Sequence, residues 1–410
     1  MRISLLLAAV FLSGGAQAQV TETVSINPGY ADQLWYSLQN GTVNSRPALE
    51  WDLAFELPGF TASILVNTIK PGFSVHRAPY SVSDWNVLDT AGLATWPTLQ
   101  NSDTSWSVGG FNTSTTGGEF DLGWGDYNFV THAVVGDSLY VVKLATGAWR
   151  KLRIDGLVAG TYMLTHSALD GTDEQSVSVQ KSLFPGRHFA YLDLSTGTTL
   201  NREPAGADWD LVFTKYITFV PQPYGVAGVL HNRNAQALRV SGMPHSLASY
   251  DLSPMATAIN TIGYDWKTFN MSTSAWELDE EMTFFVKDVP GNIWKVYFTG
   301  FGGATNGEFT FVKELVSATS VADAMSHPTA VQVFPNPVSN GRATLVADLN
   351  EPVQHIRVVD ASGREVRRFG PRAAVGLVQL ELDLAGLPSG MYMIRLETAH
   401  ASAHTRVLVD

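Results

Sequence analysis

Apolar and polar positions alternate with period two along much of this chain, and the alternation stops at Gly- and Pro-containing turns. The pattern is cleanest near the C-terminus, where it predicts strands over Ala343–Val346, His355–Val359, Val378–Leu382 and Met391–Leu396. Upstream, two hairpins stand out. Leu139–Lys143 and Trp149–Ile154 flank Thr146-Gly147, while Met282–Lys287 and Ile293–Phe298 flank Pro290-Gly291-Asn292. No long segment keeps the 3.6-residue apolar period with caps that a helix needs, and only Ser246–Thr261 has any helical character. The expected fold class is therefore all-β.

The hydrophobic pattern also repeats at long range. Trp51-Asp52-Leu53-Ala54-Phe55 returns 158 residues later as Trp209-Asp210-Leu211-Val212-Phe213. Upstream, Tyr36-Ser37-Leu38 with Asn40-Gly41-Thr42 matches Tyr191 to Leu194 with Thr196-Gly197-Thr198. Phe111-Asn112 keeps the same spacing from Phe269-Asn270, and the two late hairpins, Tyr140–Lys151 and Phe284–Lys295, are 144 residues apart. One gap reconciles these anchors. The reading is two similar antiparallel β modules in tandem, residues 30–182 and 188–316, with Trp51 and Trp209 in equivalent buried places. A linker at 317–330, rich in small residues, leads to a C-terminal immunoglobulin-like β-sandwich at 331–410.

Composition separates these parts. All eleven Trp precede residue 331, and the tail carries eight Arg and eight Asp or Glu, so the net charge of −12 belongs to the rest. An acidic, aromatic-rich body argues against nucleic acid as a partner, which needs clustered Lys and Arg. With no cysteine in the chain, disulfides, thiolate metal sites and cysteine catalysis drop out. At the N-terminus, Arg2 precedes an apolar stretch, Ile3–Leu12, and an Ala-x-Ala site that predicts signal cleavage between Ala18 and Gln19. That stretch is too short to span a bilayer, so the expected product is exported by the Sec route and is not membrane-spanning.

The tail resembles the type A C-terminal sorting domain of the Bacteroidota type IX secretion system. The residues that carry this are Pro335-Asn336-Pro337, the turn at Gly363, Gly390 with Tyr392, and the closing Arg406-Val407-Leu408-Val409. The resemblance implies recognition by the type IX translocon and a sorting peptidase, cleavage in the linker, and release or attachment at the outer surface. None of the tail is then catalytic.

The body resembles, over roughly Tyr30–Val316, two tandem HmuY-type β modules. The residues concerned are the Tyr-x-x-Leu strand with its Thr-Gly turn, the Trp-Asp strand, and the Val-Lys hairpin followed by Gly160-Thr161-Tyr162 or Gly307-Glu308-Phe309. That family's founding members bind haem, whose iron needs two axial His or Met donors. The second module offers His231, Met243 and His245 as the cofactor-binding candidates, and the first offers only His76. His132, His166 and His188 have no ligand partner at i+2 or i+4 and read as incidental. Asp170-Gly171-Thr172-Asp173-Glu174 has oxygen donors suited to calcium but lacks the loop spacing and reads as a connector. Nucleophile-elbow, zincin and phosphate-loop signatures are absent. The leading expectation is a secreted or surface-displayed binding protein without catalysis, with haem, a glycan or a protein as ligand. A structural or adhesive stalk and a hydrolase with an unrecognised site are the alternatives.

Overall fold

The computed structural model describes residues 19–59, 62–113, 118, 120–250, 254–317, 331–349, 352–360, 364–373, 376–398 and 402–410. The predicted signal peptide with Ala18, the linker after Ser317, and Gly363 of the tail motif lie outside these residues.

The chain opens with β1 (Val20–Ser25), β2 (Asp32–Ser37) and β3 (Gly41–Pro47). Eleven strands follow: β4 (Leu53–Glu56), β5 (Ile64–Val66), β6 (Ser74–Ser81), β7 (Gly125–Asn128), β8 (Ala133–Gly136), β9 (Ser138–Lys143), β10 (Trp149–Val158), β11 (Thr161–Ala168), β12 (Gln175–Gln180), β13 (Phe189–Asp193) and β14 (Thr198–Leu200). The body ends with β15 (Leu211–Phe219), β16 (Pro223–His231), β17 (Gln236–Val240), β18 (Lys267–Asn270), β19 (Ala275–Leu278), β20 (Thr283–Lys287), β21 (Ile293–Phe301) and β22 (Glu308–Ser317). The fold is all-β, as the alternation predicts. Within Ser246–Thr261 the described residues hold only part of a 3-10 turn, His245–Leu247, and no α-helix.

Two units form, but they are not the two halves of the sequence. One is built from β4 to β14, with sheets ordered β14-β13-β4-β5 and β12-β11-β10-β9-β6. The other has sheets ordered β3-β2-β15-β16 and β1-β22-β21-β20-β17. The second unit is thus completed by the first three strands of the chain. Residues 30–47, assigned by sequence to the first module, belong to it, and β1 lies along β22 from Val20 opposite Lys313 to Ser25 opposite Glu308. By the same rule β13 and β14, from the second copy, complete the first unit.

The Trp-Asp motif explains this exchange. Asp52 accepts the Leu194 N–H at 2.8 Å, and Asp210 accepts the Leu38 N–H at 2.7 Å. The backbone N–H of each Asp reaches back to the same hairpin, at Leu192 and Tyr36 respectively. Each Asp therefore grips a hairpin contributed by the other repeat, and a buried carboxylate holds its place by satisfying buried N–H donors. The two grips differ in charge: Lys70 pairs with Asp52 at 2.6 Å, whereas the second oxygen of Asp210 takes the Val289 N–H at 2.9 Å.

Two sequence anchors need correction. Phe111 is fully buried in the first core and Asn112 accepts the Ile64 N–H, whereas Phe269-Asn270 lies on β18 and corresponds to Tyr127-Asn128 on β7. Both are aromatic-Asn pairs, and spacing alone could not choose between them. Tyr36 faces the core as Leu192 does, so the true counterpart of Tyr191 is Trp35. Trp209 is buried, but Trp51 is only half-buried, against Tyr191 at 5.2 Å.

Each unit encloses its own core, one around Phe55, Trp124, Tyr140 and Tyr162, the other around Tyr36, Phe213, Trp266, Phe284 and Phe309. The tail forms a separate antiparallel sandwich. Its strands are β23 (Val331–Phe334), β24 (Arg342–Leu349), β25 (His355–Val359), β26 (Glu365–Phe369), β27 (Gly376–Asp383), β28 (Gly390–Glu397) and β29 (Ser402–Val409), in sheets β23-β24-β27 and β26-β25-β28-β29.

Candidate functional site

Of the three residues expected as iron donors, the two histidines are each engaged with other groups of the protein. His231 ends β16 fully buried, with Nδ1 at 2.8 Å from the Asn232 carbonyl and Nε2 at 2.9 Å from the Ala258 carbonyl. Burial lowers its pKa, against the pull of those two acceptors, and neither nitrogen faces open space. His245 stacks on Tyr297 at 4.0 Å and bonds Thr283, and Met243 is half-buried in the preceding loop. No contact of one donor involves another. His76, on β6, lies against Ser74 and Trp149.

His188, which has no sequence signal, occupies a buried polar cluster of the body. This cluster lies where the two units meet, between outer faces carrying Trp35, Tyr216 and Leu230 on one side and Ala54, Phe189 and Tyr191 on the other, with Trp106 against both. His188 Nε2 pairs with Asn232 at 3.0 Å, and Glu203 accepts the His188 N–H and the Tyr191 hydroxyl. Arg202, with no exposed side-chain surface, donates to Glu50, Gln33 and the Pro47 carbonyl, and lies over the rings of Trp35 and Tyr191. Glu50 and Arg202 come from the two segments that cross between units. Glu56, fully buried, accepts from Ser63, Ser107 and Arg233. Burial raises Glu203 to about 7, and burial with the nearby Arg233 charge lowers His188 to about 3. Carboxylates so occupied act as fasteners; their oxygens are committed to groups of the protein itself.

The exposed chemistry lies elsewhere, on two hairpins in equivalent positions. β7–β8 and β18–β19 each turn through an Asn whose side chain accepts the next two free N–H groups: Asn128 from Val130 and Thr131, and Asn270 from Ser272 and Thr273. Each turn closes on a left-handed residue, His132 at φ 54° and Ser274 at φ 52°. Both tips, 128–132 and 270–274, lack Lys, Arg, Asp and Glu. Each also exposes an apolar side chain: Phe129 shows 67% of its surface and Met271 82%, with Phe120, Val130, Phe269 and Trp276 also exposed nearby. Trp276 is braced by Phe269 at 5.2 Å and Phe301 at 4.9 Å. Gly303, at φ +63°, lets it lie close, since a Cβ there would stand 2.6 Å from Trp276 Nε1. At the base of this hairpin the buried Lys267 ammonium donates to the Ala227 and Tyr264 carbonyls among four aromatic rings. Burial lowers it to about 7, although carbonyls and ring faces favour the cation.

In the tail, motifs far apart in sequence meet. The Asn336 side chain donates to the Arg406 carbonyl at 3.2 Å and accepts the Leu408 N–H at 2.8 Å, and Val338 continues the ladder to Leu408 and Asp410. Pro335 and Pro337 flank an amide that stands in for backbone and pins the outer edge of β29. Val407 and Val409 point into the core, Arg406 and Leu408 outward. Gly390 opens β28, and the Tyr392 hydroxyl bonds the Pro388 carbonyl at 2.7 Å. Residues 332–410 match the family model of the secretion system C-terminal sorting domain. Such a domain implies interaction with the type IX machinery, and secretion or outer-surface attachment by that route.

Beyond the sorting domain the comparisons are thin. No curated protein matches the chain, and the HmuY-type likeness of the body rests on its sequence motifs alone. Among solved structures, a β-D-glucuronidase from Dictyoglomus thermophilum aligns at 11% identity over 64% of this chain and 42% of its own, with a TM-score of 0.16. The N-terminal four Ig domains of Dscam1 isoform 6.44 align at 8% identity over 92% of this chain and 99% of theirs, with a TM-score of 0.14. The chain spans under half of the glucuronidase, and scores this low carry no argument. Among the described residues no helix is long and apolar enough to cross a membrane, and no group of three His, Asp or Glu is placed to hold a metal ion.

Proposed function

We propose that this protein is a non-catalytic binding protein, secreted or held at the outer surface, whose two units meet a neutral glycan through the paired hairpin tips at 128–132 and 270–274. The observation that carries this reading is the equivalence of those tips: the same Asn-anchored turn, in the same place in both units, each uncharged and each exposing apolar side chains beside aromatic rings. Exposed rings offer flat faces to sugar C–H groups, and the Asn, Ser and Thr residues around them supply hydrogen bonds. A stalk needs neither feature. Catalysis finds no support, because the buried carboxylates Glu56, Glu203 and Asp210 all serve backbone or side-chain partners. Haem capture at His231 would require a ring nitrogen to leave its carbonyl. The reading also includes signal cleavage at Ala18, passage by the Sec route, and removal of the sorting domain within residues 317–330 by the sorting peptidase.

A glycan array probed with the full chain tests it. Binding lost in Phe129→Ala and Trp276→Ala, with unchanged thermal unfolding, supports the reading. Glycan binding indifferent to both substitutions, or none on the array, refutes it.

A further inference from the structure

The sorting domain has two unlike outer faces. On sheet β23-β24-β27 the outward positions of β27 are Gln379, Glu381 and Asp383, and the exposed large apolar side chain of this face, Phe334, stands alone at the end of the edge strand β23. Sheet β26-β25-β28-β29 departs from that pattern. Its inward positions are apolar, with Val358, Ile394, Val407 and Val409 buried, but the outward ones include Met391, Met393 and Leu408, exposed by 58%, 38% and 42%. Met391 lies opposite Leu408 and Met393 opposite Arg406, so the three form one strip across β28 and β29. The next row of the same face runs Arg368, Arg357, Arg395, His404. Glu365 and Glu397 pair with Arg357, Arg368 and Arg395, which leaves Arg406, beside the strip, without an ion pair among the described residues.

We propose that the strip Met391, Met393 and Leu408, with Arg406 at its border, is the surface by which the sorting domain docks on a protein of the secretion machinery, one that offers an apolar groove with an acidic rim. This deepens the reading of residues 332–410 as a sorting domain and rests on it. Three features select a protein rather than an anionic membrane. The strip lies on hydrogen-bonded strands, and Asn336 holds the outer edge of β29. Methionine pairs pack adaptably into protein grooves. One free arginine is too few for a lipid surface, where each cation contributes only about 1 kcal/mol and several are needed.

The test uses the full chain in a type IX-competent host, with periplasmic and external protein quantified. Met391→Glu with Leu408→Glu, and separately Arg406→Glu, should raise the periplasmic fraction about tenfold while thermal unfolding of the purified chains stays unchanged. Gln379→Lys with Glu381→Lys, on the other sheet, should export normally. Deleting 331–410 should block export completely. Normal export of that deletion overturns the sorting-domain reading. A blocked deletion with normally exported strip variants overturns the docking strip alone. Strip variants that export normally but lose binding to anionic vesicles assign the strip to a membrane, which also overturns it.

Discussion

Leu38 and Leu194 occupy equivalent positions, each offering its N–H to the Asp of a Trp-Asp motif and its side chain to a core. Leu38 follows β2 at the start of the chain, yet it packs in the core formed mostly by β15 to β22; Leu194 follows β13 and packs in the core of β4 to β12. Both are buried, so truncation to Ala should cost about 2–5 kcal/mol through lost transfer energy and the cavity left behind. For a protein of this size that lowers the midpoint of thermal unfolding by on the order of 10 °C. The footprint matters more than the size. Hydrogen exchange of Leu38→Ala should accelerate amides of β15, β20, β21 and β22, more than 170 residues away in sequence, and spare β4, β9 and β10; Leu194→Ala should do the reverse. If Leu38→Ala instead loosens β4 to β12 and leaves β15 to β22 protected, the strand exchange is refuted and the units follow the sequence halves.

Asp210 provides a pH test: burial raises its carboxyl from 3.8 to about 6, so the folded state binds its proton more tightly than the unfolded state. Its contribution is fully present below pH 3.8 and is lost as pH rises through 6, so the stability gap between wild type and Asp210→Asn should widen by up to about 3 kcal/mol from pH 8 to pH 4. A gap constant with pH would count against it. His188 acts in the opposite sense, its stability contribution present above pH 6.5 and lost towards pH 3, so His188→Gln should remove part of the acid sensitivity of denaturant unfolding. Asn336→Ala should remove two hydrogen bonds to β29 and cost the tail roughly 1–3 kcal/mol, seen as faster exchange at Leu408; an unchanged rate would show that the clamp is idle. Haemin added to the full chain should give the same Soret band with wild type and with His231→Ala, and a band that depends on His231 would restore it as a donor.

Fold class was legible because period-two alternation is local, and so were the late hairpins and four of the seven tail strands. The repeat was legible too, since Trp-Asp and Gly41/Gly197 each occupy a demanding local geometry; both glycines have positive φ. Strand partnership was not. Whether β2 pairs with β4 or β15 depends on which copy of a near-identical hook receives it, and the hooks Asp52 and Asp210 carry no label in sequence. The same blindness hid the polar cluster. Glu50, His188, Arg202, Glu203 and Arg233 look like scattered charges until the two crossing segments bring them together. His231, conversely, looked available because sequence shows a donor atom but not the carbonyl already facing it. In the tail, the Pro-Asn-Pro and Arg-Val-Leu-Val motifs were visible singly, but their contact across seventy residues was not.

The exchange also fixes an order of events. β1 has no partner in its own half; its six-residue ladder is with β22, which ends at Ser317, and β2 waits for β15. Contacts at such separation form late, because loop-closure entropy must be met before they contribute. The unit of β4 to β14 is contiguous and can close as soon as its own residues are present. The second unit has to hold β1 and the β2–β3 hairpin without their partners β22 and β15 until those strands have emerged. Unpaired strand edges invite wrong partners, so completing the body and presenting a folded sorting domain fall at nearly the same point in the life of the chain. A tail at the C-terminal side of β22 reaches its receptor only after the last body strand exists, which makes the position of the sorting domain compatible with a body that its own N-terminus must close.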